Sequence, residues 1–175
     1  ATGTIGNDDS ALLTLSIPTI EESDTDQTVF ATVTLNAEVE GGFAAAFSTS
    51  LGTAEATDIS FVTTSPLTFA GTSGEVGQIE LLIKGDTIVE DHETFTLTLG
   101  ALSGATDQQL ANISRVGTPA TGTIGNDDSA TVTIRAGQTS VLETDANQSI
   151  IYTVSLSSPV EGGLTVNLTE TGVDT

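Results

Sequence analysis

The stretch Ile79-Glu80-Leu81-Leu82-Ile83-Lys84-Gly85-Asp86-Thr87-Ile88-Val89-Glu90-Asp91-His92-Glu93-Thr94-Phe95-Thr96-Leu97-Thr98-Leu99 places two apolar runs on either side of an acidic turn. Ile79, Leu81 and Ile83 alternate across Glu80 and Leu82, and Phe95, Leu97 and Leu99 alternate with Thr94, Thr96 and Thr98. A period of two sends successive side chains to opposite faces, so both runs read as half-buried strands. Val29, Ala31, Val33 and Leu35 repeat the pattern with Thr32 and Thr34 between them. Breaks fall at Gly41-Gly42, Gly71 to Gly74, Gly85-Asp86 and Gly100 to Gly104, and no stretch keeps a period of 3.6. The pattern predicts an all-β fold, an antiparallel β-sandwich of about seven short strands with Thr-rich outer faces.

The wider composition narrows the function. The 175 residues hold 24 Asp and Glu against 3 Lys and Arg, a formal net charge of −21, with no Cys, Met or Trp. Lys84, Arg115 and Arg135 cannot form the basic face that neutralises phosphates, so no nucleic-acid or anionic-membrane partner is expected. Without thiols there is no disulfide frame and no Cys-based metal site, and a single histidine, His92, rules out a multi-histidine centre. No apolar run approaches the roughly 20 residues that cross a bilayer, so no membrane insertion is expected in this segment. The chain begins Ala1-Thr2-Gly3 with no signal-peptide layout, and is expected to be an excerpt whose targeting segments lie elsewhere.

The chain repeats itself. Ala1-Thr2-Gly3-Thr4-Ile5-Gly6-Asn7-Asp8-Asp9-Ser10-Ala11 recurs unchanged as Ala120 to Ala130, an offset of 119 (120 against 1). Glu22 to Gly42 matches Glu143 to Gly163 at an offset of 121 (143 against 22), so a loop between Ala11 and Glu22 absorbs two residues. The expected division is residues 1–9 as the last strand of a preceding repeat, 10–128 as a complete domain, and 129–175 as the first part of a following repeat. Consecutive units are joined with almost no linker, because Asn126-Asp127-Asp128-Ser129-Ala130 runs directly into the strand-like Thr131-Val132-Thr133-Ile134.

Acids concentrate at the strand ends. Asp86, Glu90, Asp91 and Glu93 occupy the turn between the two apolar runs, Asp127-Asp128 close the unit, Glu21-Glu22 and Asp24 follow the first strand, and Asp58 lies in the central loop. Two unit charges about 4 Å apart repel by roughly 4 kcal/mol at an effective dielectric near 20, so converging carboxylates call for a cation. Calcium suits them, because it takes six to eight oxygens at flexible geometry and needs neither sulfur nor imidazole; magnesium demands a tighter octahedron.

The ordered set Leu67-Thr68-Phe69-Ala70-Gly71, Ile79 to Asp86, Val89 to Phe95 and Ala120 to Asp128 resembles the Calx-beta domain, and Thr49 to Ile59 is similar to its central Gly-Thr-Ala loop. The resemblance covers the whole unit in order and spacing. It implies an immunoglobulin-like sandwich with Ca2+ held in the loops at one end. It also implies the ligands Glu22, Asp58, Asp86, Glu90, Glu93, Asp127 and Asp128, with Asp8 and Asp9 belonging to the preceding unit's site and Glu143 to the following one's. Gly85 stands where many relatives have a first Asp, and Asn126 opens the closing acidic run, so one ion per unit is the firmer expectation.

The competing readings are weaker. A solvated acidic surface that binds no ion is the plain alternative. Asp86, Glu90 and Glu93 as glycosidase carboxylates would need an aromatic-lined cleft, and the sequence offers only Tyr152 and six Phe. His92 has no nucleophile elbow to serve, and the Gly-Gly pairs precede neither a helix nor a Lys-Ser/Thr pair. The resulting expectation is a non-enzymatic, calcium-binding structural and adhesive module of a large extracellular or cell-surface protein, bacterial in source, stiffened by Ca2+ at loop ends and junctions. Its partners would be neighbouring repeats and other copies in a filament. A calcium-sensing regulatory module is the alternative.

Overall fold

A computed structural model describes residues 1–3, 6–142, 144 and 146–172; Glu143 lies outside them. The chain divides into two compact units, one of Ala1–Asp86 with Asp91–Asn126, the other of Thr87–Glu90 with the chain from Asp127 onward.

The first unit is a sandwich. Its strands are β1 (Ala11–Ser16), β2 (Ile20–Glu21), β3 (Gln27–Leu35), β4 (Phe43–Ser50), β5 (Ile59–Phe61), β6 (Leu67–Phe69), β7 (Val76–Ile83), β8 (Glu93–Ser103), β9 (Ile113–Val116) and β10 (Ala120–Gly125). One sheet runs β5-β7-β3-β1-β9 and the other β2-β10-β8-β4-β6. The period-two residues face inward as their alternation demands: Phe95, Leu97 and Leu99 from β8 meet Ile79, Leu81 and Ile83 from β7 and Ala31, Val33 and Leu35 from β3 in one core, while the intervening threonines stay partly exposed. Phe43 stacks on Phe69 at 5.1 Å, and Phe61 meets Phe95 edge-on at 6.0 Å.

Three features depart from a plain set of seven antiparallel strands. The segment Ala11 to Glu21 is one extended run that serves both sheets, β1 in the first and β2 in the second, with Pro18 between them. Proline has no N–H to give the ladder, so the run can leave one sheet there and join the other. As a result β1 lies parallel to β9 and β2 parallel to β10. The third feature is a short helix, α1 (Asp107–Ala111), started by a capping box in which the Gln109 amide donates to Thr106 and the Thr106 amide donates to the Gln109 side chain.

In the second unit, β11 (Val132–Ala136) pairs antiparallel with β12 (Tyr152–Leu156), Val132 opposite Leu156 and Ile134 opposite Val154. Shifted by the repeat offsets, these are Leu13 opposite Leu35 and Leu15 opposite Val33, the pairs that join β1 to β3. Leu13, Val33 and Leu35 are fully buried, whereas Ile134 is 54% exposed.

Candidate metal centre

The first unit brings four of the expected ligands to one pole. In the second sheet Ile124, at the end of β10, is opposite both Glu93 at the start of β8 and Ile20 in β2, and the Glu22 amide donates to the Gly125 carbonyl at 2.8 Å. In the first sheet Ile83 ends β7 opposite Gln27, which opens β3, and opposite Ile59, which opens β5. Glu22, Asp58 and Asp86 therefore flank strand ends at this pole, and Glu93 opens β8 there.

Local bonds fix the central loop. Thr94 donates its amide to Thr53 Oγ1 at 2.8 Å, the two hydroxyls lie 3.1 Å apart, and the Ala54 amide donates to the Thr94 carbonyl at 3.1 Å. Gly52 sits at φ +66° with its α-carbon against the Thr94 backbone, where no side chain fits. Tied to β8 in this way, the loop presents Asp58 beside Glu93, and each offers a carboxylate oxygen within 4.8 Å of the other. Asp58 also accepts the Glu55 amide at 2.5 Å and, through its carbonyl, the Lys84 amide at 2.8 Å. Among the described residues, Asp58 and Glu22 are the buried charged side chains, 8% and 7% exposed.

This geometry fits a calcium ion. Two oxygens each about 2.4 Å from one ion stand at most about 4.8 Å apart, and an all-oxygen set with buried carboxylates is the donor chemistry calcium takes. Burial makes the pair costly without a cation, since an ionised carboxylate taken from water needs a compensating charge.

Among the expected ligands, Asp58 and Glu93 come together, while Glu22 and Asp86 stand at the same pole. Glu90, Asp127 and Asp128 belong to the second unit, Asp127 exposed and the other two half-buried. Asp8 and Asp9 are exposed in the first unit. His92 accepts the Asn126 amide on Nδ1 at 3.0 Å, which ties the acidic turn to the end of β10.

One residue of the pole went unread in the sequence. Asp26 accepts Lys84 Nζ at 2.7 Å and the Gly85 amide at 3.2 Å, and the lysine hydrogen bond, then the amide, hold its carboxyl below the usual carboxylate range. Gly85 itself packs against the backbone of Ser23 and Thr25 so closely that a side chain's first carbon would collide with it. An aspartate at that position is excluded by the path of the Ser23–Asp26 segment. Its signal in the sequence is the acid run Glu21, Glu22, Asp24 and Asp26.

The Calx-beta domain family model matches residues 6–128. Among solved structures, the Calx CBD2 domain is 14% identical over 66% of this chain and 86% of its own, with a TM-score of 0.54, a likeness of fold. The apo-form Calx CBD1 domain is 24% identical over 69% of this chain and all of its own, with a TM-score of 0.49. The calcium binding domain CBD12 of CALX1.1 is 22% identical over 71% of this chain, which spans half of that structure, with a TM-score of 0.49. No curated protein matches. With the family model covering well over half of its residues, the chain belongs to the Calx-beta family, whose domains bind Ca2+.

Proposed function

We propose that this protein is a structural and adhesive repeat module of a large extracellular or cell-surface protein, bacterial in source, in which Ca2+ neutralises the acidic pole and stiffens the array. The observation that carries this reading is the Asp58–Glu93 pair, a buried and a half-buried carboxylate with oxygens within 4.8 Å at the pole where β10 hands the chain to the next repeat. Glu22, Asp86, Glu90, Asp127 and Asp128 are proposed as further ligands, around one ion per unit. The role is non-catalytic.

The domain division at residues 9/10 and 128/129 is proposed with it. The matching registers of β1–β3 and β11–β12 support it, as does the closing undecapeptide, whose Ala120–Gly125 forms β10 while the described residues of its first copy before Ala11 lie outside any strand. Filament copies of the chain are part of the same proposal.

The test is a thermal melt of the chain across a calcium titration, with EDTA and magnesium as controls. A site filled at 100 times its dissociation constant adds about 2.7 kcal/mol, several degrees in a domain of this size. A calcium-specific rise with a midpoint on the order of 10⁻⁴ to 10⁻³ M supports the structural module. A midpoint near micromolar favours the calcium-sensing reading, and no rise overturns both.

A further inference from the structure

The second unit contains a contact that reaches beyond the calcium pole. Val89, in the acidic turn of the complete repeat, forms a parallel bridge with Val160. Its amide donates to the Pro159 carbonyl at 3.0 Å, and its carbonyl accepts the Glu161 amide at 3.0 Å. The receiving element is a tight turn, Val160-Glu161-Gly162-Gly163, closed by Gly163 donating to the Val160 carbonyl at 3.0 Å with both glycines at positive φ, 69° and 79°. A loop of one repeat is thereby hydrogen-bonded to the first hairpin turn of the sequence that follows.

The complete repeat carries the same turn. Val39-Glu40-Gly41-Gly42 is identical in sequence, Gly42 donates to the Val39 carbonyl at 3.1 Å, and the two glycines stand at φ 79° and 71°. It is anchored from behind, since the Val39 amide donates to Gly71 at 2.8 Å and Gln109 donates its side-chain amide to the Glu40 carbonyl at 2.9 Å. The Glu38 carbonyl and the Glu40 amide, which occupy the places of the Pro159 carbonyl and the Glu161 amide, make no hydrogen bond with the described residues. Glu38 and Glu40 are exposed and border a hollow of about 480 Å³ that Asn7, Asp9 and Gln109 also line.

We propose that the Glu38–Gly42 turn is a docking site for the Thr87–Glu90 segment of a second copy of this chain, received through the Glu40 amide and the Glu38 carbonyl as the 159–163 turn receives it within the chain. The contact is heterologous, loop on one copy and turn on the next, and so extends copies head to tail. Within one chain the loop is already held by its own 159–163 turn, and the intramolecular contact has the advantage of effective concentration. Docking between chains therefore appears when the internal turn is disabled. Both partners are acidic, which makes the contact one that salt strengthens by screening. The proposal deepens the repeat-array reading above by naming how copies meet, and its test involves none of the proposed calcium ligands.

The experiment is sedimentation velocity on the full chain in EDTA and about 1 M NaCl, where the Debye length falls to about 3 Å. Glu161→Pro removes the amide that holds Val89, at the second position of a turn whose third residue has positive φ, a position proline favours. Wild type is expected to sediment as monomer, Glu161→Pro as a concentration-dependent mixture with dimers and longer species, and Glu40→Pro/Glu161→Pro with association about tenfold weaker, the loss of one hydrogen bond. A monomeric Glu161→Pro chain with the far-ultraviolet spectrum of wild type overturns the proposal. So does association that Glu40→Pro leaves unchanged. If Glu161→Pro disturbs the second unit, Glu161→N-methyl-Glu made by semisynthesis deletes the same donor and is read by the same two outcomes. Calcium binding measured on the same variants reports separately on the metal reading.

Discussion

Gly122 of β10 lies directly opposite Phe95 of β8, and the Phe95 ring covers its α-carbon so closely that a methyl group there would run into the ring. Phe95 is fully buried at the centre of the core. A glycine inside a strand ordinarily weakens it, and here the open space it leaves is filled by the aromatic ring across the ladder. Gly3, at the same place in the first copy of the undecapeptide, has nothing within 4 Å of where its Cβ would stand.

The pair gives an internally controlled prediction. Gly122→Ala should destabilise the first unit by about 1–3 kcal/mol, the usual cost of forcing a methyl into a packed core. Gly3→Ala, in identical sequence context, should leave the melting temperature unchanged. Equal effects from the two in denaturant titration would show that the undecapeptide's sequence, and not its packing, sets the sensitivity.

Asp58 and Glu93 predict a change of sign. Without a cation, neutralising one carboxylate removes repulsion and a desolvated charge, so Glu93→Gln should melt higher than wild type in EDTA. In saturating calcium the same variant loses a ligand and should melt lower. Asp58→Asn should behave likewise. Parallel shifts of the variant in both conditions would remove the pair from the metal site.

Acid sensitivity divides between two carboxyls, the half-buried Glu75 and the exposed Asp26. Glu75 accepts the Ala70 and Gly71 amides at 2.8 and 2.9 Å and the Thr72 amide at 3.3 Å, and these bonds, Ala70's first, hold its carboxyl below the ordinary range. A carboxyl with a lowered folded value stabilises the fold above its unfolded value, ~4.3 for glutamate, and loses that contribution as pH falls through the folded value. The difference in stability between wild type and Glu75→Gln should therefore be constant above about pH 5 and shrink below about pH 4. Asp26, lowered chiefly by Lys84, follows the same sign; Asp26→Asn against wild type should show a difference that 1 M salt reduces, while the Glu75 difference, owed to uncharged amides, persists. Chemical denaturation at each pH measures both.

These residues also show how far the sequence could be read. The Thr-apolar alternation at 94–99 is legible because it depends on chain-local spacing, a period of two; Glu22, Asp58 and Glu93 are singled out by the family resemblance, and the nearness of Asp58 to Glu93 is visible only in the folded chain. The switch of one extended run between sheets at Pro18, and the parallel pairs it creates, depend on which strand lies at which edge, and no local pattern records that. α1 was missed although Thr106 and Gln109 spell a capping box, since five residues are too few to show a helical period. Gly85 looked like a lost ligand; its close packing on Ser23 and Thr25 is visible only when the two loops are brought together.

The two copies of the β1–β3 pairing should differ sharply in stability. In the first unit the pair is covered by a second sheet and its apolar residues are buried, whereas β11 and β12 form a two-stranded sheet with Val132, Ile134, Val154 and Leu156 each 39–54% exposed. An isolated two-stranded ribbon is marginal in water, because half a core offsets little of the conformational entropy lost on ordering it. Amide hydrogen exchange on the intact chain should thus find Leu15, Val33 and Leu81 exchanging only with global unfolding. Ile134 and Val154 should exchange orders of magnitude faster, through local opening. On the proposed division, a chain continued after Thr175 to the equivalent of Asp128 should slow Ile134 and Val154 toward the rates of Leu15 and Val33; unchanged rates would mean that the matching register does not belong to a repeat of the same fold.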